Sequence, residues 1–474
     1  MRRYILLVVL ALVGLLAVTP LALAEPLSET ELAGVFPQYP GDDKDITRGE
    51  FAALLVKAAG ISPAAGLPEG APADVDRQAW YAPALLTLWQ QGIIRGYPDG
   101  TLGAEGTLTN LEAAVMTARA LGLPDGVKAA ATDAALDEDS WGFVPCSWLV
   151  RQGIVEADDV TPDKVMQVGG AIKFLAGVFG SDAEAEAIMS RAQQADFGAK
   201  GISFAGEMNM NITMRDDMAG LPPELKQLNI KAEMTNEIVM PATLHQKMKM
   251  EMPALPGVTD GMPAAVEMEQ YLVDGQMYQK IVDPQSGEAL WQRLPAELVP
   301  DMEEIIQMTR EMGLSQQAIP EELKRYFHYQ MQGTAEVNGH KVYKIGYYGR
   351  IDDFGEFLNT VMNLAMPQGI PGMADGQQLQ EGMDMLSDII RYISLWGTYY
   401  IGMDDSRTYG GQFQVIIDFN EEIAGETMPI DTMTMEITVN EYRYLEDLVI
   451  ELPEEAKNAE VLSLEFETEE LQLQ

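Results

Sequence analysis

The sequence holds a single cysteine in 474 residues, Cys146, so no disulfide can form within the chain and its fold must rest on packed cores. Basic residues are also scarce: 31 Lys and Arg stand against 73 Asp and Glu, a formal net charge of −42. That balance argues against nucleic-acid binding, which draws its affinity from basic side chains neutralising phosphates. Any anionic polymer would have to be bound by local basic residues against the field of the whole chain. Histidines number three, His245, His328 and His340, and none has metal-ligand or nucleophile spacing. His245 and His340 fall on the polar side of strands or at a hairpin and are expected to be solvated. No G-x-S-x-G, H-E-x-x-H or phosphate-binding glycine loop occurs. Asp42-Asp43-Lys44-Asp45 and Tyr97-Pro98-Asp99-Gly100 lack EF-hand spacing. These absences point to a protein that is not an enzyme and has no metal or cofactor.

Long apolar runs are equally rare. The one present, Ile5 to Val18, follows Arg2 and Arg3, is broken by Thr19 and Pro20, and ends in Ala22-Leu23-Ala24. This order reads as an export signal, residues 1–24, cleaved after Ala24. No cysteine follows it, which excludes a lipid-modified N-terminus. Without Arg2 and Arg3 the remaining chain carries 29 basic and 73 acidic residues, a net charge of −44. No second run is long enough to span a bilayer, so an exported, soluble protein is expected.

What is present begins with a repeat. Ile46-Thr47-Arg48-Gly49-Glu50 through Gly60-Ile61 matches Leu108-Thr109-Asn110-Leu111-Glu112 through Gly122-Leu123 at a constant offset of 62. Both segments open with Thr-x-x-Glu, a capping box. Both continue as amphipathic helices, with Phe51, Leu54, Leu55 and Ala58 on one stripe, and both end at a glycine suited to a left-handed cap. A second unit recurs from Trp80-Tyr81 through Trp89 to Gly92-Ile93-Ile94, and from Trp141 through Leu149 to Gly153-Ile154-Val155. One such unit cannot bury its own apolar face, so several must pack together.

These residues resemble the S-layer homology family. Ala73-Asp74-Val75, Trp80, the turn Gly92 to Thr101 and the helix start Ile46 to Phe51 carry the match, which covers roughly residues 35–182 as an incomplete, a good and a degenerate repeat. The resemblance implies a pseudo-threefold helical bundle that binds secondary cell-wall polysaccharide non-covalently, often through acidic pyruvyl-sugar groups. The family's polymer-contacting arginine is kept as Arg48 but becomes Asn110 and Val168 in the other repeats; Gln167-Val168-Gly169-Gly170 also lacks the capping box. Capping needs no arginine at position 48, whereas a carboxylate ligand would favour its forked donors. Arg48, Trp80, Arg95 and Trp141 form the candidate polysaccharide-binding set. Trp80, Trp89 and Trp141 could stack on sugar rings, although two of them lie on apolar faces, where tryptophan is more often core.

After an Ala/Glu-rich helix joining the halves, residues 183–197, the pattern changes to a period of two. Met208, Met210, Ile212 and Met214 alternate with polar residues, as do Leu228, Ile230, Ala232 and Met234, and Leu244, Met248, Met250 and Met252. Such alternation predicts antiparallel strands with one buried and one solvated face. Asn338-Gly339 predicts a two-residue hairpin. Further strands are expected near 266–273, 276–282, 288–294, 394–403, 411–419 and 431–444. Helices are expected at about 301–313, along Phe354, Phe357, Leu358, Val361, Met362 and Ala365, and along Leu379, Met383, Leu386, Ile389, Ile390 and Ile393. Twenty-five of the 29 methionines lie between Met208 and Met435. Met fills cores, and its flexible, polarizable side chain also suits surfaces that accept variable apolar ligands.

The alternating strands, together with Tyr271 to Tyr278, Trp291 to Leu294, Gly333 to Tyr343 and Leu452 to Ala456, look like the LolA/LppX-type lipoprotein-carrier superfamily over residues 198–465. That resemblance implies a half-barrel covered by helices, enclosing an apolar cavity that binds lipid in carrier members. The expected fold is therefore α+β and multidomain: an α-helical bundle of S-layer-homology-like repeats at 25–182, and a curved antiparallel β-sheet covered by helices at 198–474. Met208, Met210, Met234, Met248 and Met250 are the candidate cavity residues. The expected protein is secreted, sits at the cell wall or surface layer, and binds wall polysaccharide and a lipid or other apolar ligand. The alternative is a structural or adhesion protein with no small-molecule ligand.

Overall fold

A computed structural model describes residues 27–63, 70–123, 140–156, 160, 162, 164–180, 182–215, 225–240, 242–251, 265–282, 289–295, 327–357, 360, 388–423 and 426–461. The expected export signal and the expected helix at 301–313 lie outside them. Seven helices open the described chain: α1 (Glu29–Ala33), α2 (Arg48–Ala58), α3 (Ala82–Gln90), α4 (Asn110–Ala120), α5 (Phe143–Arg151), α6 (Val168–Phe179) and α7 (Ala183–Gly198). Strands follow: β1 (Gly201–Met214), β2 (Gln227–Val239), β3 (Thr243–Glu251), β4 (Ala265–Val273), β5 (Gln276–Val282), β6 (Ala289–Arg293), β7 (His328–Val337), β8 (His340–Ile351), β9 (Ile390–Gly402), β10 (Thr408–Phe419), β11 (Glu422–Ile423), β12 (Glu426–Thr427) and β13 (Ile430–Tyr444). A short α8 (Glu454–Lys457) and β14 (Glu460–Val461) close it. No described helix is long and apolar enough to cross a membrane.

The repeat becomes a closed ring of backbone hydrogen bonds. The amide of Ile46 donates to Met166 O, that of Met166 to Leu108 O, and that of Leu108 to Ile46 O, at 3.0, 2.8 and 3.0 Å. One turn further, Arg48 N donates to Gly106 O, Asn110 N to Lys164 O and Val168 N to Lys44 O. Positions 48, 110 and 168 are therefore equivalent by geometry, and α2, α4 and α6 radiate from the ring. Thr47 and Thr109 close full capping boxes with Glu50 and Glu112, while Gln167 makes no side-chain cap. Gly60, Gly92, Gly122 and Gly153 all have positive φ after their helices. Phe51, Leu54, Leu85, Leu108, Val115, Cys146, Trp148 and Leu175 fill the core between the helices.

Among the described residues twelve strands form one open, curved sheet in the order β14-β6-β5-β4-β3-β2-β1-β13-β10-β9-β8-β7. All neighbours are antiparallel except β14 and β6, which run parallel; β11 and β12 pair separately. The period-two segments form strands as expected, and Asn338 and Gly339 both take the positive φ of a primed hairpin turn. The helix expected along Leu379 to Ile393 departs from expectation at its end. Ile389 is still helical, but Ile390 and Ile393 belong to β9, where Ile393 pairs with Ile417 and Ile351. A run apolar on successive residues fits a strand buried on both faces as well as a helix. Phe354 and Phe357 are helical and buried, and residues 361–387 lie outside the described chain.

One sheet face packs on the helical ring, and the other forms a second core. In that second core Ala185, Ile188, Met189 and Ala192 of α7 cover Met208, Met210, Tyr329, Tyr347, Leu395, Tyr399 and Met435. The first face meets the carboxyl ends of three helices, where the final carbonyls can accept bonds from outside the helix. Arg350 Nη1 donates to Arg119 O at 2.9 Å, Ser394 Oγ to Leu121 O at 2.6 Å, and Gln332 Nε2 to Gln152 O at 2.6 Å. Tyr348 OH donates to Val178 O and Gln330 Nε2 to Gly177 O. The Trp396 indole stacks on Tyr348 and donates to Ser394 Oγ. At Gly122 a Cβ would lie 2.8 Å from that of Ser394, so the close approach of α4 to β9 needs glycine there.

Candidate functional site

The arginine singled out by the repeat starts α2 at the junction with the second repeat. Arg48 is only 7% exposed, its Nη1 lies 3.2 Å from Glu112 Oε1, and its Nη2 donates to Arg95 O at 2.9 Å. Its guanidinium stands 5.3 Å from the centre of the Tyr97 ring, and Tyr97 OH donates to Glu112. Tyr97 is 43% exposed and the Arg95 side chain is exposed, so this junction reaches solvent through those two residues. Asp74 accepts from the amides of Leu102 and Gly103, at distances down to 2.8 Å, and holds the turn that presents them. Burial raises the Tyr97 phenol above its usual range, partly offset by the Arg48 charge, which keeps it a neutral hydroxyl.

The candidate set divides. Arg48 and Arg95 come together with Tyr97 and Glu112. Trp80 lies in a different cluster with Phe36, Tyr39 and Tyr81, and is 38% exposed. Trp141, 59% exposed, precedes α5 and joins neither cluster. Trp89 is half-buried against the helical core. Tyr97 and Glu112 were not singled out as contacts; their signal was the 62-residue offset, which brings the Glu of the second capping box opposite the arginine of the first. The equivalent of Glu112 in the first repeat, Glu50, is paired by Lys44 at 2.9 Å instead.

On the sheet, the methionines form rows across the strands. One row runs Tyr329, Tyr347, Gly397, Phe413, Ile437, Met208, Ala232, Met250 and Val266 from β7 to β4. Beside it run Val415, Met435, Met210 and Ile230, and, across β2 to β4, Met234, Met248 and Met268. Met208 and Met210 are buried at 3% exposure, whereas Met234, Met248 and Met250 are half-buried. The five candidate cavity residues thus share one face, with the buried pair at the middle of the sheet and the others toward the β6 end.

The opposite face corrects one expectation. His245 is not solvated: its Nδ1 lies 2.9 Å from Glu237 and its Nε2 3.1 Å from Glu269, and its ring stacks on Tyr271 at 4.2 Å. Cross-strand carboxylates and a neighbouring aromatic enclose it because β2, β3 and β4 place these residues side by side. His340 is exposed and stacks on Tyr409. His328 is buried between Phe179 and Tyr348, and burial lowers its pKa to about 4, so it is neutral where the sheet meets α6.

Comparisons with known proteins match these two regions separately. The model of a family of unknown function, DUF6612, matches residues 184–461, and that of the S-layer homology domain matches residues 73–114. The "Middle cell wall protein" of Brevibacillus brevis is 37% identical over 90 residues, 19% of this chain and 8% of that protein. The "Surface layer protein" of Brevibacillus choshinensis is 32% identical over 113 residues, 23% of this chain and 10% of that protein. The chain therefore spans about a tenth of the length of these relatives. Among solved structures, LprF from Mycobacterium bovis is similar at 15% identity and a TM-score of 0.27, covering 58% of this chain and 98% of that one. Lipoprotein LppX from Mycobacterium tuberculosis is similar at 13% identity and a TM-score of 0.25, covering 57% and 99%. The S-layer homology match and the cell-wall relatives indicate a secreted protein associated with the cell wall or surface.

Proposed function

The chain belongs to DUF6612, a family of unknown function, and we propose that within it this protein is a surface-anchored module whose helical ring binds cell-wall polysaccharide while its sheet holds an apolar ligand. The anchoring half rests on the ring of backbone hydrogen bonds that makes positions 48, 110 and 168 equivalent and leaves an arginine at one of them. Arg48 is the contact for an acidic group of the polymer, with Arg95 and Tyr97 at the exposed rim. Glu112 holds the guanidinium in place, and a ligand carboxylate would share or displace that partner. Trp80 and Trp141, both exposed before the short helices α3 and α5, supply flat apolar surface for sugar rings. The three junctions are unequal, with Asn110 and Val168 where arginine would otherwise stand, so one junction carries the charge recognition.

The ligand half draws support from the apolar rows, which continue past the core covered by α7 onto β2, β3 and β4, where the methionines are half-buried among the described residues. Met208, Met210, Met234, Met248 and Met250 line that surface. Neither half calls for catalysis, a metal or a nucleic acid. A purely structural role draws on the docking of the sheet onto three helix ends, which suits a rigid displayed scaffold.

Both halves are testable on the full chain. It should sediment with purified bacterial walls, and Arg48→Ala should weaken this by about tenfold or more, as expected when a charged hydrogen-bonded contact is lost. Arg48→Ala also leaves Glu112 without its cationic partner, so folding must be checked by circular dichroism. Equal sedimentation of a folded Arg48→Ala variant would remove Arg48 from the site. Native mass spectrometry followed by organic extraction should reveal a bound lipid; a clean apoprotein mass, persisting after incubation with lipid vesicles, would favour the structural reading.

A further inference from the structure

The methionine-bearing face of the sheet also carries a row of side-chain amides. Asn236, Gln246, Gln270, Gln279 and Gln292 stand directly opposite one another on β2, β3, β4, β5 and β6. Asn236 and Gln246 lie two residues from Met234 and Met248 along their strands, which puts the row on the same face as those methionines. Asn236 is 5% exposed, and the four glutamines are half-buried. Among the described residues no two of these amides bond to each other. Gln270 Nε2 donates to Met268 Sδ at 3.5 Å, and Gln292 Oε1 is buried without a partner. Apolar side chains at these five positions would simply extend the methionine rows, whereas an amide held there unpaired costs free energy.

The surroundings restrict what can pair with them. On one side of the row run Met234, Met248 and Met268. On the other run Ile238, Leu244, Leu272 and Met277. None of these three rows holds a charged residue, in a chain with 31 basic and 73 acidic ones. The charges of these strands alternate onto the opposite face, where Lys247 and Lys280 lie against Glu269. Val266 and Leu290, on the amide-bearing face, are 37 and 60% exposed, so this part of the sheet is open to a partner. Beyond β2 the row ends at Phe204, which stacks on Tyr442. From Asn236 to Gln292 is four strand spacings, about 19 Å, the length of about six residues of extended chain.

We propose that the amide row reads the backbone of an extended, uncharged peptide segment lying on edge across β2 to β6. An amide side chain offers an acceptor oxygen and donor N–H groups, the counterparts of those in a peptide bond. Side chains of an extended chain point alternately to opposite sides. A segment on edge therefore turns backbone groups to the row and lays apolar side chains on the two flanking rows. A hydrocarbon chain has no group for the amides, and a saccharide has no use for apolar rows on both sides. A charged segment finds no partner on this face, and an acidic one is also repelled by the net charge of −42. The assignment rests on the apolar-ligand reading above and names the ligand's class, a peptide with apolar side chains.

The test uses the full chain and its Gln246→Met/Gln270→Met/Gln279→Met variant. Methionine has nearly the volume of glutamine, so the variant should melt at or above the parent's temperature. Three probes are offered. The first is a pool of capped heptapeptides randomised over Ala, Val, Leu, Ser, Thr and Gln. The second is the same pool with esters in place of backbone amides, which keeps the side chains and loses the N–H donors. The third is squalane in phosphatidylcholine vesicles. Retained peptide and lipid are quantified by mass spectrometry. The parent should retain the amide pool about tenfold or more over the ester pool, as the loss of one or two hydrogen bonds gives. The variant should keep squalane and retain both pools alike. Equal retention of the two pools by the parent, or a preference that survives in the variant, would overturn the amide row as the reader of a backbone. Squalane uptake without either pool would overturn the peptide and leave the apolar-ligand reading standing; uptake of none of the three would overturn both. A parent that is dimeric and a variant that is monomeric would assign the face to a second copy and overturn the peptide.

Discussion

Asp196 lies where α7 ends against β10 and β13, accepting hydrogen bonds from Tyr444 OH and from Thr408 Oγ at 3.1 Å. Burial pushes its carboxyl up from 3.8 to about 6, and those two donors offset only part of the rise. The folded state then holds this proton more tightly than the unfolded chain, so the group lowers stability as pH rises from about 4 to about 6. Asp196→Asn keeps an acceptor for Tyr444 and removes the charge. Its stability relative to the parent should therefore rise between pH 4 and pH 7, by about 2–3 kcal/mol at most. Urea unfolding at the two pH values measures this; a difference independent of pH would contradict the buried charge. His328 has the opposite sign. Its pKa is depressed to about 4, so the stability it contributes is present above about 6.5 and is lost as pH falls through 4. Single residues of this kind were the least legible in the sequence. Nothing around Asp196 marks it as partly buried, and the two carboxylates that enclose His245 lie on neighbouring strands, eight and twenty-four residues away.

At the scale of elements, local pattern and final structure agree wherever one face is buried and the other solvated. The alternation from Met208 to Met214 and from Leu228 to Met234 gave β1 and β2, and Thr47 and Thr109 capped their helices as their spacing required. The strand expected near 394–403 forms most of β9, and the pattern missed only its start, Ile390 to Ile393, where both faces are covered. There Ser394 and Trp396 meet helix ends while Ile393 and Leu395 enter the second core, so helical and strand periods both fit the apolar run. Docking of the sheet onto α4, α5 and α6 was not legible at all, because polar residues such as Gln330, Gln332 and Arg350 read as solvated. Their partners are main-chain carbonyls of helix ends more than 150 residues away. Cys146, the only cysteine, is fully buried in α5, and burial raises its pKa to about 12, which makes it a natural reporter of this docking. The Arg350→Ala/Ser394→Ala variant loses two bonds to the end of α4. Labelling of the native Cys146 thiol should accelerate by about tenfold or more, since a tenfold change corresponds to about 1.4 kcal/mol of opening free energy. An unchanged rate would show that the helical ring holds without the sheet.

For the whole molecule, an acidic chain without disulfides gains its solidity from two cores that share one sheet. The helical ring, with Arg48 at one junction, and the apolar rows, with Met208 and Met250, belong to one connected body. Motion of the ring would therefore carry the sheet with it. Repeat composition and strand alternation revealed both kinds of architecture, but not that the two would be joined through helix ends. Binding to the wall by its polysaccharide is the claim on which the rest depends. The most direct measurement is co-sedimentation of the full chain with purified walls, intact or stripped of secondary polysaccharide by hydrofluoric acid. The account predicts binding to intact walls and its loss from stripped ones; equal binding to both, or to neither, would contradict it.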